Sequence, residues 1–159
     1  MKPPGEVHAA GRSTLRIGTW NLAGRWDERH AHLLRAQGLR RLDHYAMFLE
    51  NNNRFLESCS AGYRAGLYFT CINSFLTAEE LAYIVNNSES QLLITSRAKL
   101  DVAREALKSC PRVKLCLVVD GGADLQAPFQ DYANAIAAYP DTPIADEQLG
   151  TAMLYSSGT

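Results

Sequence analysis

The feature that most constrains this chain is its alternation of short apolar runs with amphipathic helical patterns. The runs are Tyr45–Leu49, Leu67–Ile72, Gln91–Thr95, Val113–Val119 and Gly150–Tyr155. Most of them lack alternating polar positions, which is typical of strands buried on both faces. Such strands separated by helices predict an α/β fold, with a mainly parallel sheet covered by helices on both faces.

Local signals place the helices between these strands. Thr77 and Glu80 have the spacing of a capping box, which predicts a helix ending near Asn87. A helix from Asp27 is expected to end at Gly38, since glycine accepts the left-handed C-cap conformation. Two further helices are predicted from about Ala98 and over 129–138.

Another helix follows the first strand. Its spacing of three and four residues predicts one helical face directed at the sheet. The residues on that face are Phe55, Leu56, Cys59, Gly62, Tyr63 and Gly66.

Domain organisation follows from where this order begins. Residues 1–25 contain prolines and glycines without a sustained period, and they predict an irregular N-terminal arm. Residues 26–159 carry the alternating pattern and are expected to form one domain.

Composition excludes several function classes. The net charge is -1 and no Lys/Arg cluster lies along a predicted surface, so neither nucleic acid nor an anionic membrane is expected as a partner. No segment approaches the ~18 apolar residues of a transmembrane helix. The four cysteines, Cys59, Cys71, Cys110 and Cys116, have no Cys-x-x-Cys spacing, so we expect reduced thiols in a cytoplasmic protein.

The loop after the last predicted strand is the main candidate site. In open α/β sheets, ligands bind beyond the carboxyl ends of the strands. This loop consists of Ser156, Ser157, Gly158 and Thr159. Hydroxyl groups beside a glycine can donate hydrogen bonds to phosphate oxygens, although the same residues also make ordinary turns.

A family resemblance favours the phosphate interpretation. Residues 155–159, Tyr-Ser-Ser-Gly-Thr, resemble the first half of the signature of adenylate-forming enzymes, Tyr-Thr-Ser-Gly-Thr followed by Thr-Gly-x-Pro-Lys-Gly. Residues 46–52, 66–73 and 76–86 are similar to the N-terminal region of fatty acyl-CoA synthetases. The resemblance extends from about Ala31 to Thr159.

The resemblance implies a two-step acid–CoA ligase. Such an enzyme joins a fatty acid to ATP as an acyl-adenylate, with Mg²⁺, and then transfers the acyl group to coenzyme A. By resemblance, Ser156, Ser157, Gly158 and Thr159 would hold the ATP phosphates. The family's loop lysine, magnesium-binding glutamate and catalytic lysine are absent from these residues, so no catalytic residue or metal ligand is assigned, and the chain alone is expected to be an inactive N-terminal fragment. The alternative is a non-catalytic α/β binding or interaction module.

Other candidate residues favour structural roles. His8, His30, His32 and His44 have no metal-binding spacing and are expected to be solvated surface side chains. Glu79 and Glu80 are explained by the capping box rather than by acid–base catalysis.

Two turns remain open. Gly121–Gly122 could cradle a phosphate, but a turn is favoured because no helix begins directly after it. Leu42–Asp43 stands where the resembled family commonly has Gly-Asp, which leaves the turn before the first strand in doubt.

Overall fold

The computed structural model describes residues 25–155, in which five α-helices and six strands alternate along the chain. The helices are α1 (Trp26–Ala36), α2 (Asn53–Arg64), α3 (Ala78–Asn87), α4 (Leu100–Leu107) and α5 (Tyr132–Ala137). The strands are β1 (His44–Phe48), β2 (Tyr68–Cys71), β3 (Leu92–Ser96), β4 (Leu115–Val119), β5 (Phe129–Asp131) and β6 (Thr151–Met153). A short 3₁₀ turn, Arg97–Lys99, precedes α4. The predicted N-terminal arm lies almost wholly outside the described residues.

The strands form one sheet in the order β5-β4-β3-β1-β2-β6, and every pairing is parallel. The α/β fold with a parallel sheet is therefore confirmed. Strand order reverses between β1 and β3, which makes that position the topological switch point. Because all strands run the same way, their carboxyl ends meet at one edge of the sheet.

Two hydrophobic clusters cover the two faces of the sheet. Side chains alternate across β1: Tyr45 and Met47 pack in one cluster with α1, α2 and α5, while Ala46 and Phe48 pack in the other with α3 and α4. All four are fully buried. Helices on both faces explain why the central strands carry no polar alternation.

The helix boundaries read from capping patterns are confirmed. The Thr77 hydroxyl accepts from the Glu80 amide, and the Glu80 carboxylate accepts from the Thr77 amide at 2.8 Å, so both halves of the capping box are present. At the end of α1, Gly38 adopts a φ of 91°, the left-handed region expected of it.

The helix predicted over 129–138 is wrong in its first three residues. Phe129–Asp131 forms β5, whose residues pair with β4 from Cys116 to Val118. The helix begins only at Tyr132, because Oδ1 of Asp131 accepts from the Asn134 amide at 2.9 Å and caps it.

The predicted inward face of α2 is confirmed for Gly62 and for Phe55, Cys59 and Tyr63, which pack against the core, but it is wrong for two residues. Leu56 is 64% exposed, and Gly66 lies beyond the helix with a φ of 66°. The buried positions include Ser58, Ala61 and Gly62, so the face that packs on the sheet contains a polar residue that apolar spacing does not detect.

The expectation that the histidines are solvated is wrong for His30. Its ring is fully buried and lies edge-on to Tyr45 and Tyr132, with a 3.2 Å hydrogen bond between Nδ1 and the Tyr132 hydroxyl. Burial lowers the pKa of His30 to about 3, so the imidazole is neutral. His32 and His44 are partly exposed, and His8 lies outside the described residues.

Candidate functional site

The end of β6 fixes where the predicted phosphate loop leaves the sheet. β6 pairs in parallel with β2, so that Phe69 lies opposite Ala152 and Thr70 opposite Met153. The chain therefore leaves β6 at the same edge as β1, β2 and β3. Ser156, Ser157, Gly158 and Thr159 follow directly, but they lie outside the described residues, and their binding role remains a prediction.

Backbone hydrogen bonds hold the chain that enters β6 against the end of α2. The Gln148 amide donates to the Arg64 carbonyl at 2.9 Å, and the Gly150 amide donates to the Tyr63 carbonyl at 2.8 Å. The Thr151 amide then donates to Leu67 at 2.9 Å and begins the pairing with β2. Because these bonds are made by the backbone, hydrophobic pattern alone does not reveal them.

At Gly150 the chain passes so close to the backbone of Gly62 and Leu67 that only glycine fits. A Cβ at this position would contact the carbonyl oxygen of Gly62 and would lie 2.5 Å from the Leu67 carbonyl oxygen and 2.8 Å from its nitrogen. All three neighbours are backbone atoms, which cannot rotate away. Glycine alone permits the close approach that places β6 beside β2.

Ion pairs reinforce the same approach. Arg64, only 14% exposed, binds Asp27 at 2.8 Å, Glu28 at 3.1 Å and Glu147 at 2.7 Å. Arg64 therefore joins α1 and α2 to the residues that precede β6. Burial raises the pKa of Glu28, although the charge of Arg64 opposes that rise.

Beyond β6, a side-chain contact directs the chain toward α3. The Tyr155 hydroxyl donates to Oδ1 of Asn87, the last residue of α3, at 2.7 Å. Burial raises the pKa of Tyr155, and the proximity of Tyr83 adds to this effect. The contact therefore ties the residue before the predicted phosphate loop to the end of α3.

Several other polar groups at this edge already have internal partners. Asn52 caps α2 by accepting from the Phe55 amide at 3.0 Å, and Thr77 caps α3. At the switch point, the Thr95 hydroxyl donates to the Phe48 carbonyl at 2.8 Å. These helix ends and this crevice are thus satisfied by the chain itself.

Gly121 and Gly122 are likewise occupied. Oδ2 of Asp131 accepts from the Gly121 amide at 3.0 Å and from the Gly122 amide at 3.4 Å. A carboxylate from the chain thus takes the position that a bound phosphate would need, which supports the interpretation as a turn. Sequence reasoning missed Asp131; its only sequence signal is an acidic residue at a helix N-cap position.

The described residues supply neither a metal site nor a membrane span. Within residues 25–155, no group of three or more His, Cys, Asp or Glu side chains lies close enough to hold a metal ion. In the same part of the chain, no helix is both long and apolar enough to cross a bilayer.

Comparison with known sequences gives a consistent result. A family model described as AMP-binding enzyme matches residues 11–159, which includes residues before the resemblance seen from Ala31. The chain is 30% identical over 138 residues to a crotonobetaine/carnitine–CoA ligase of Salmonella paratyphi A, covering 82% of this chain and 26% of that protein. It is 29% identical over 136 residues to a medium-chain-fatty-acid–CoA ligase of Ectopseudomonas oleovorans, covering 81% and 25% respectively.

Solved structures share the fold. An anthranilate CoA ligase in complex with anthranoyl-AMP superposes with a TM-score of 0.75 at 18% identity, covering 84% of this chain and 25% of that one. A coronafacic acid ligase from Pectobacterium brasiliense gives a TM-score of 0.70 at 16% identity, covering 82% and 27%. The chain spans about a quarter of the length of the relatives it matches.

Proposed function

The chain belongs to the AMP-binding enzyme family, and from that membership we propose that it forms the first part of the ATP-binding domain of an acid–CoA ligase. The proposed carboxylate is a fatty acid. The carboxylate oxygen attacks the α-phosphate of ATP and releases pyrophosphate; the coenzyme A sulfur then attacks the acyl carbonyl and releases AMP. Two sequence relatives named as CoA ligases, one of them for medium-chain fatty acids, support this class of reaction.

In this proposal residues 26–159 are part of the AMP-binding domain, and the predicted arm, residues 1–25, precedes its alternating elements, although the family match itself begins at residue 11. The alternating elements begin with α1 at Trp26, which supports that boundary. The free thiols of the four cysteines accord with a cytoplasmic location, where ATP and coenzyme A are both present.

Ser156, Ser157, Gly158 and Thr159 are proposed to bind the β- and γ-phosphates. Their hydroxyl groups and backbone amides would donate to phosphate oxygens and offset the charge that develops on departing pyrophosphate. A magnesium ion would share that charge when bound. The loop would therefore act by positioning and by electrostatic stabilisation rather than as a nucleophile.

The observation that carries the proposal is the edge of the sheet at which the chain leaves β6. Gly150 and the parallel pairing with β2 bring the chain to the carboxyl edge of the sheet at the end of β6. In α/β sheets this edge is where ligands bind. The other amide groups considered there, those of Phe55, Glu80 and Gly121, already donate to side chains of the chain.

The test compares two proteins. The natural protein that carries these residues, with whatever sequence it has beyond them, is expected to catalyse fatty-acid-dependent exchange of pyrophosphate into ATP and to form a CoA thioester. A polypeptide of these 159 residues alone is expected to show neither activity, because it spans a quarter of the relatives' length.

Two results would contradict the proposal. A folded natural protein that shows no exchange with any carboxylate would favour a non-catalytic module. Exchange by the pure 159-residue polypeptide would show that the remaining sequence is not needed for adenylation.

A further inference from the structure

Two of the four cysteines lie on α2 and β2, which pack against each other. Cys59 lies in the middle of α2, and Cys71 is the last residue of β2. Both pack against the hydrophobic cluster on the α1–α2–α5 face of the sheet. Both are also partly exposed, whereas Cys110 and Cys116 are buried.

The packing of α2 on β2 explains this approach. Gly62 lies so close to Phe69 that an added Cβ would be 2.7 Å from the Phe69 ring. Cys59 lies one turn before Gly62 on the same helix face, and Cys71 lies two residues after Phe69 on the same strand face. Because α2 runs antiparallel to β2, moving one turn back along the helix, from Gly62 to Cys59, leads in the same direction as moving two residues forward along the strand to Cys71.

The side chains of Cys59 and Cys71 are close enough for each to shift the pKa of the other. The other two cysteines have different surroundings. The Cys110 thiol donates to the Ala106 carbonyl at 3.2 Å, and Cys116 is fully buried within β4. The sulfurs of Cys59 and Cys71 thus form a solvent-reachable pair that the rest of the described chain does not repeat.

We propose that Cys59 and Cys71 are a redox-sensitive dithiol that a peroxide converts to a disulfide. The Cys71 thiolate attacks one peroxide oxygen, the O–O bond breaks, and the departing hydroxide takes a proton to become water. Cys71 is then a sulfenic acid. The Cys59 sulfur attacks the Cys71 sulfur, the S–O bond breaks, and the hydroxyl leaves as water with the Cys59 proton. Two thiols lose two electrons in total, and one peroxide becomes two waters.

The protonation of the pair assigns these roles. The neighbouring Cys59 thiol lowers the pKa of Cys71, so Cys71 is the better nucleophile toward peroxide. The interaction with Cys71, together with burial, raises the pKa of Cys59, which keeps its proton until the sulfenic acid accepts it. Once formed, the disulfide would link α2 covalently to β2, the two elements whose residues Gly62 and Leu67 contact Gly150.

The test is peptide mapping of the purified, fully reduced chain after treatment with hydrogen peroxide. Cleavage at lysine and arginine places the four cysteines in four different peptides, so each link can be identified by mass. We expect a Cys59–Cys71 linked pair within one molecule, lighter by two hydrogen atoms and restored by dithiothreitol. Cys110 and Cys116 should remain thiols that are alkylated only after unfolding. The oxidised chain should also melt at a higher temperature than the reduced chain.

Variants separate the two roles. In Cys59→Ser, Cys71 should stop at the sulfenic acid, which dimedone traps. In the control Cys110→Ser, the Cys59–Cys71 link should form as in the original chain. Cys71 should react at least about tenfold faster than Cys110.

Three outcomes would overturn the proposal. One is recovery of Cys59 and Cys71 in separate, over-oxidised peptides of the original chain. The second is a link between different molecules only. The third is unchanged chemistry of Cys71 when Cys59 is replaced; the first two need no variant, so the proposal can fail even where a substitution prevents folding.

Discussion

The Tyr155 hydroxyl donates a 2.7 Å hydrogen bond to Oδ1 of Asn87, which joins the residue after β6 to the last residue of α3. Asn87 and Tyr155 are distant in sequence and lie on different elements. The contact therefore fixes the direction in which the chain leaves the sheet, immediately before the four residues proposed to bind phosphate.

Removing the Tyr155 hydroxyl should weaken the attachment to α3 of the residues that follow β6. We expect Tyr155→Phe to lower the free energy of unfolding by about 0.5–1 kcal/mol, since one hydrogen bond is lost and the ring is kept. Tyr139→Phe is the matched control, because Tyr139 follows α5 on the side of the sheet away from β6, and its expected change is close to zero. In a double-mutant cycle with Asn87→Ala, Tyr155 and Asn87 should show coupling; fully additive effects would contradict the contact.

Gly150 should tolerate no side chain. We expect Gly150→Ala to lower the free energy of unfolding by about 2 kcal/mol or more, because the new Cβ meets backbone atoms of Gly62 and Leu67. Thr151→Ala is the control on the same strand, since Thr151 is exposed and its replacement should change stability by less than about 0.5 kcal/mol. Chemical denaturation measures the stability of both variants. Equal stability would show that the backbone around Gly150 can move enough to accept a methyl group.

Leu42 occupies a backbone conformation that suits glycine. Its φ is 70°, while its amide donates to the Gly66 carbonyl at 2.9 Å, so the turn before β1 is formed despite the leucine. We expect Leu42→Gly to raise the free energy of unfolding by about 0.5–1 kcal/mol, because relief of left-handed strain exceeds the added freedom of the unfolded chain.

Leu149→Gly is the control for Leu42→Gly. Leu149 is 63% exposed, comparable with Leu42 at 48%, but it does not have a positive φ. Its replacement should lower stability. If both glycine variants destabilise the chain equally, the strain assigned to Leu42 is absent.

His30 should make the protein acid-sensitive. Its pKa falls from 6.5 to about 3 on folding, so the unfolded state binds a proton that the folded state does not. The stabilisation is present above pH 6.5 and is lost as the pH falls from 6.5 toward 3, at up to about 1.4 kcal/mol per pH unit. Glu28 and Glu57 oppose this slope: burial raises the pKa of both, so their contribution is lost as pH rises.

A comparison with His30→Gln isolates the histidine, because Asp27, Glu28 and Glu57 are common to both proteins. The difference in free energy of unfolding between the original chain and the variant should shrink as the pH is lowered from 6.5. Tyr45 and Tyr132, which pack against His30, do not titrate in this range. A difference that is constant over this range would show that folding does not change the pKa of His30.

The sequence predicts best the elements whose signals are local. The strands around Tyr45, Leu67 and Leu115, the capping box of Thr77 and Glu80, and the C-cap at Gly38 all depend on residues within one or two turns. Each is found within a few residues of its expected place.

The errors arise where distant residues decide the outcome. Phe129 and Gln130 are extended because they pair with Cys116 and Leu117, which no helical spacing can reveal. His30 is buried because Tyr45 and Tyr132 enclose it from two other elements. At the candidate site, the sequence predicts the position of the loop after the last strand, but not Gly150 as the residue that admits it, nor Asn87 as the partner of Tyr155.

The most direct measurement of the central claim is fatty-acid-dependent exchange of pyrophosphate into ATP, made on the natural protein and on its Ser157→Ala variant. Ser109→Ala, on a surface segment after α4, serves as the control. We predict exchange by the original protein and by the control, and at least about a tenfold loss of exchange in Ser157→Ala, since a donor to the departing pyrophosphate is removed. Absence of exchange in the original protein, or equal rates in all three folded proteins, would contradict the account.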